Sequence, residues 1–205
     1  MYHKLLIIAC LFISVTGYSQ DNLIPMFLPS ATPQPIPKDD VKGKFTDIGS
    51  ELPDFRAVTI PQGRILKKGS QEGVMEQREI IIKAMNITKK DVKNNANLLV
   101  MIFNPTCGHC AVMTDTLEHY IYLFKKSKLL MITGQNMGQY LEDFESEHNT
   151  NQYPTMLIGL DSSNFTNKIF LYNQLPQINI YDKERKLIKI FQGDISIDSL
   201  KRYIQ

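Results

Sequence analysis

Six consecutive apolar residues, Leu98-Leu99-Val100-Met101-Ile102-Phe103, stand between Asn97 and Asn104-Pro105, and they constrain this chain more than any other feature. A run of that length with polar stops reads as a strand buried on both faces, at the centre of a sheet covered above and below. Pro105 ends the strand, because it has no N–H to give a ladder and restricts the residue before it. Cys107-Gly108-His109-Cys110 follows at once. Met113, Leu117, Tyr120, Ile121 and Phe124 then recur at three- and four-residue spacing, one apolar stripe of a helix running to about Lys126. Two cysteines thus sit where a buried strand turns into a helix.

The rest of the chain repeats the alternation. Asp54 to Val58 and Arg64 to Lys67 read as short strands around the turn Ile60-Pro61-Gln62-Gly63. Residues 71–86 read as a helix, with Val74, Ile81, Ile82 and Met85 on one face. Leu129 to Ile132 is the next buried strand, Met137, Tyr140, Leu141 and Phe144 mark a helix, and Thr155 to Ile158 is a strand. Asn164 to Leu171 reads as a short helix. Gln177 to Tyr181 and Leu187 to Phe191 form a hairpin about the charged turn Asp182-Lys183-Glu184-Arg185-Lys186, closed by Gly193. Ser196 then caps a final helix carrying Ile197, Leu200 and Ile204. The expected class is α/β, a central mixed β-sheet flanked by helices.

Residues 1–19 read as an export signal. Lys4 supplies the positive region, and Leu5 to Val15 is an apolar run broken by Ser14. Gly17-Tyr18-Ser19 offers small residues for cleavage before Gln20. The run is shorter than the roughly 20 residues that span a bilayer. Retention of the segment as a membrane tether stays open, as does lipidation of Cys10. Residues 20–43 follow as a proline-rich linker, with Pro25, Pro29, Pro33, Pro35 and Pro37 favouring extended chain. The folded domain is expected over 44–205. The formal charge is +2, or +1 once Lys4 leaves with the signal, which gives no electrostatic footprint for nucleic acid.

Removal of the signal leaves two cysteines, three residues apart. A disulfide between them closes a tiny loop and removes little entropy from the unfolded chain, so it is a poor staple. Redox chemistry explains it better. A dithiol oxidoreductase needs one reactive thiolate and a second thiol to resolve the mixed disulfide. At a helix start the first cysteine meets unsatisfied N–H groups and the positive dipole end, which favour its thiolate. Cys107 fits that role, and Cys110, one turn deeper, fits the shielded resolving thiol. His109 between them favours the thiolate when protonated, and so stabilises the reduced form. The expected potential is nearer about −200 than about −270 mV. A zinc site needs about four ligands. The mature chain offers two cysteines and three histidines, His109, His119 and His148, without a second paired cluster. Haem attachment needs histidine right after the second cysteine, where Ala111 stands. No cofactor is implied.

The strand, Asn104-Pro105-Thr106-Cys107-Gly108-His109-Cys110 and helix together resemble the active site of the thioredoxin superfamily. The CGHC tetrad is that of protein disulfide isomerases. The longer layout, over about residues 50–205, is similar to the exported TlpA/ResA-type thioredoxins of bacterial envelopes. Glu51-Leu52-Pro53-Asp54-Phe55 resembles their first strand, and Tyr172-Asn173-Gln174-Leu175-Pro176 resembles their cis-proline segment. The resemblance implies a cis bond at Leu175–Pro176 that turns backbone groups of Leu175 toward Cys107, where a peptide could add by strand pairing. An ordinary trans proline opening a strand is the other reading of Pro176. Pro154 lacks the following hairpin. The chain departs from the family at Thr106, where tryptophan is frequent. It departs again at Met101, six residues before Cys107, where thioredoxins carry a buried aspartate.

The resemblance implies a periplasmic or cell-envelope enzyme acting on client proteins with disulfides, drawing electrons from a membrane donor protein when it works as a reductase. Reductase or isomerase, oxidase, and a non-enzymatic thioredoxin-like binding module remain distinct readings.

Overall fold

The run at 98–103 does become a strand buried on both faces, and the sheet is built around it. A computed structural model describes residues 42–68 and 76–205, all within one compact unit, Asp39–Gln205. The signal segment and the linker up to residue 41 lie outside the described residues. Nine strands occur among the described residues: β1 (Arg56–Val58), β2 (Gln62–Lys68), β3 (Glu76–Ile82), β4 (Asn86–Thr88), β5 (Leu98–Ile102), β6 (Lys128–Thr133), β7 (Met156–Asp161), β8 (Gln177–Tyr181) and β9 (Leu187–Gln192). The helices are α1 (Lys42–Thr46), α2 (Gly108–His119), α3 (Gly138–His148), α4 (Phe165–Ile169) and α5 (Ile197–Lys201).

Seven strands form one sheet in the order β4-β1-β7-β6-β5-β8-β9. β5, β6 and β7 run parallel, with Leu98 opposite Lys128 and Leu129 opposite Met156. β8 returns antiparallel against β5, pairing Met101 with Ile178, and β9 completes the hairpin. The alternation of β5 divides the core. Leu99, Met101 and Phe103 face a cluster with Met113 and Leu117 of α2, Leu141 and Phe144 of α3, and Leu200 of α5. Leu98, Val100 and Ile102 face a second cluster with Leu52, Phe55, and Phe165 and Ile169 of α4. Buried on both sides, β5 has no room for polar side chains, which is why its sequence is continuous rather than alternating.

Two expectations near the amino-terminal side are corrected. β1 does not hairpin with β2. It pairs with β4 and β7 in the main sheet, while β2 and β3 make a separate antiparallel ribbon, Gln62 opposite Ile82 and Lys68 opposite Glu76. The helix expected over 71–86 is not there. Residues 69–75 lie outside the described residues, Glu76–Ile82 is strand, and Met85 is exposed rather than on a buried helical face. Three successive isoleucines, Ile80-Ile81-Ile82, favour extended backbone, and their ladder to partners 16 to 20 residues away is invisible to a local periodicity. The α2 helix also stops at His119, and Ile121–Leu123 continue as a 3-10 turn. The other strands and helices stand within a few residues of where the sequence puts them. Ser196 caps α5, its Oγ accepting from Ser199 N–H at 3.3 Å.

Candidate active site

The turn out of β5 is held by one side chain. Asn104 Oδ1 accepts from the Thr106 N–H at 2.9 Å and its hydroxyl at 3.0 Å, while the Asn104 carbonyl accepts from the Cys107 N–H at 3.0 Å. This tight turn puts Cys107 at the cap of α2 in extended conformation, φ −93° and ψ 116°. The Cys107 carbonyl accepts from the Cys110 and Ala111 N–H groups at 2.9 and 3.0 Å, which starts the helix. Its side chain takes no part in the cap, so the sulfur is not tied to the helix backbone.

Both thiols are free, and burial separates them: Cys107 is half-buried and Cys110 is completely buried. Burial pushes the Cys110 thiol up to about 12, the Cys107 sulfur adds to the rise, and the Asn104 backbone opposes it. Among the described residues no carboxylate contributes to the shift of that thiol, and Met101, at the position where thioredoxins carry aspartate, is itself fully buried. His109 points outward, its Nδ1 2.8 Å from Asp194 Oδ1. His119 ends α2 with its ring against Tyr120, and His148 is buried with Nδ1 2.7 Å from Asp115 Oδ1.

The Leu175–Pro176 bond is cis, and it is the only cis bond among the described residues. Pro176 is buried and its carbonyl accepts from the Gly193 N–H at 2.9 Å, joining this loop to the end of β9. Leu175, half-buried, lines two hollows. One, about 220 Å³, is bordered by His109, Gln174, Gly193 and Asp194. The other, about 180 Å³, lies at the carboxyl ends of β5 and β6 beside Phe103, Asn104, Thr133 and Gly134. The fold therefore brings His109 and Leu175 to one groove although 66 positions separate them.

Sequence reasoning named the cysteines, His109, Leu175 and Pro176 but missed the roles of four supporting residues. Asn104 was read as a strand stop and as part of the motif, without its side-chain role in the turn. Asp194 has no local signature. Gln177 and Asn179 lie on a strand yet are completely buried. Gln177 Oε1 accepts from the Leu171 N–H at 2.9 Å, and its Nε2 donates to the Ile169 carbonyl and to Asn179 Oδ1, both at 2.8 Å. These bonds fix the segment that leads into the cis-proline loop.

No protein-family model and no curated protein matches this chain. Solved structures do. A thiol:disulfide interchange protein from a Bacteroides species superposes with TM-score 0.54 at 14% identity, over 78% of this chain and 91% of its own. The thioredoxin domain of a thiol-disulfide oxidoreductase from Bacteroides vulgatus gives 0.52 at 15%, over 78% and 99%. A candidate protein disulfide isomerase from Bacteroides thetaiotaomicron gives 0.53 at 17%, over 77% and 87%. With its mixed sheet, helices on both faces and cis-proline loop, this chain has the thioredoxin-like fold.

Proposed function

We propose that the protein is a thiol–disulfide oxidoreductase acting on protein disulfides outside the cytoplasm. Cys107 is the nucleophile. Its thiolate attacks one sulfur of a client disulfide, forming a Cys107–client bond and releasing the other client sulfur, which takes up a proton. Cys110 then gives up its proton and attacks Cys107 Sγ, so the second client thiol leaves and the Cys107–Cys110 disulfide forms. The client gains two electrons and two protons, and a dithiol partner must return them. A membrane electron donor suits that need. Protonated His109 stabilises the dithiol form relative to the disulfide, and the backbone around Leu175 and Pro176 receives the extended client strand.

One observation carries this reading: two free thiols one helical turn apart, one half-buried and one fully buried, on either side of His109, which lines a groove walled by a cis-proline loop. Replacing Cys107 by Ser is expected to abolish reduction of a model protein disulfide. Replacing Cys110 by Ala is expected to accumulate mixed disulfides, separable on non-reducing gels. If neither substitution alters any function of the protein, the enzyme reading falls and a binding module remains. A potential measured against glutathione distinguishes an oxidising pair from a reducing one.

A further inference from the structure

His109 and Asp194 are 85 positions apart in sequence and meet at one end of the sheet, where Ile102 of β5, Gln177 of β8 and Gln192 of β9 lie in register. The imidazole stands in the first turn of α2, two residues past Cys107, and the carboxylate follows the glycine that closes β9. Their Nδ1 and Oδ1 atoms are 2.8 Å apart. An ionised carboxylate only accepts, so Nδ1 carries the proton and donates. The glycine is what places the acid. Gly193 has φ +70°, and a Cβ there would sit 2.6 Å from Gln174 Oε1. Its N–H is spent on the Pro176 carbonyl, so residue 194 projects over the groove rather than along the strand. Gln174, Leu175 and Gly193, which complete the lining, carry no charge. Asp194 is therefore the charged group of that lining that faces the imidazole, and along α2 the nearest titratable neighbours are Cys107 and Cys110.

We propose that Asp194 is a positioning residue that acts through His109, its carboxylate anchoring the imidazolium at the groove beside Cys107 and so favouring the dithiol over the disulfide. This rests on the reading of Cys107 and Cys110 as a redox pair. It follows the logic by which a nucleophile's basic neighbour is oriented by a third group. The chemistry also makes the contribution modest. The two side chains are 69% and 83% exposed, and exposed pairs contribute little in water.

The test is the equilibrium of the protein with glutathione, in which protein dithiol and glutathione disulfide exchange for protein disulfide and two glutathiones. Asp194→Asn is expected to move it about two- to five-fold toward the protein disulfide, the size of an exposed charge pair. Asp194→Glu is expected to restore part of the shift, and 1 M salt to shrink it. In a His109→Ala background the carboxylate's own repulsion of the thiolate is all that remains, so Asp194→Asn should no longer move the equilibrium that way. The same shift in both backgrounds, or none in the native one, overturns the proposal. Failure of the underlying reading looks different: the native protein would then show no Cys107–Cys110 disulfide at any glutathione ratio.

Discussion

Burial separates two chemically identical thiols at Cys107 and Cys110, and the difference has a direct chemical signature. With its thiol near 12, Cys110 holds roughly one part in ten thousand as thiolate at pH 8. Iodoacetamide at that pH is expected to label Cys107 and spare Cys110 in the reduced protein, as read by peptide mass. Equal labelling would mean the Cys110 sulfur is not shielded. The sign for stability follows from the same shift. The folded state holds this proton more tightly than an ordinary thiol at 9.0, so the contribution is intact below pH 9 and is lost as pH rises toward 12. The urea midpoint of the reduced protein should fall between pH 8 and 10, and that of Cys110→Ala should fall less. At this scale the dithiol was legible because Cys107, His109 and Cys110 are local in sequence. Asp194 was not, because 85 positions separate it from the imidazole it meets.

A buried polar pair anchors the segment that leads into the cis-proline loop. Gln177 and Asn179 occupy alternate positions of β8, a pattern that reads as a strand with one wet face. The structure covers that face instead with the exit of α4, and the two amides satisfy the backbone of Ile169 and Leu171. Gln192 Nε2 also donates to Gln177 Oε1 at 3.1 Å. Gln177→Ala removes a partner from two buried groups, the Ile169 carbonyl and Asn179 Oδ1, and from two part-buried ones, at about 1–3 kcal/mol for each buried group left unsatisfied. The urea midpoint should drop accordingly, and disulfide exchange should slow beyond what the fraction unfolded explains. A variant that loses stability but exchanges at the native rate when folded would show that the loop needs no such anchor. The same element level shows why the 71–86 region was misread. Its isoleucines carry strand propensity, but the partner that makes β3 a strand lies in β2, and only long-range pairing reveals it.

The described residues build a seven-stranded sheet with a hydrophobic cluster on each side and a separate β2–β3 ribbon, and the two cysteines follow the end of the interior strand β5. Leu130 of β6 is completely buried in the cluster that includes Val100, Ile102 and Phe165. Leu130→Ala is expected to cost about 2–5 kcal/mol in urea unfolding, with Cys107 reactivity unchanged in the folded fraction, because Cys107 packs on the opposite cluster. A loss below about 1 kcal/mol would mean that the site collapses around the missing atoms. The alternation of strand and helix was legible from hydrophobic period alone, whereas the order of strands was not, since neighbours such as β1 and β7 are far apart in sequence. That order has a temporal consequence. The central strand β5 takes its antiparallel neighbour, β8, from about 75 residues downstream, and the wall of the groove comes with that hairpin. A chain emerging from its amino-terminal end thus exposes both sulfurs before their wall exists. For that interval any small thiol or disulfide in the milieu meets them unscreened, and under the proposed function selectivity for protein clients begins only when the last strands arrive.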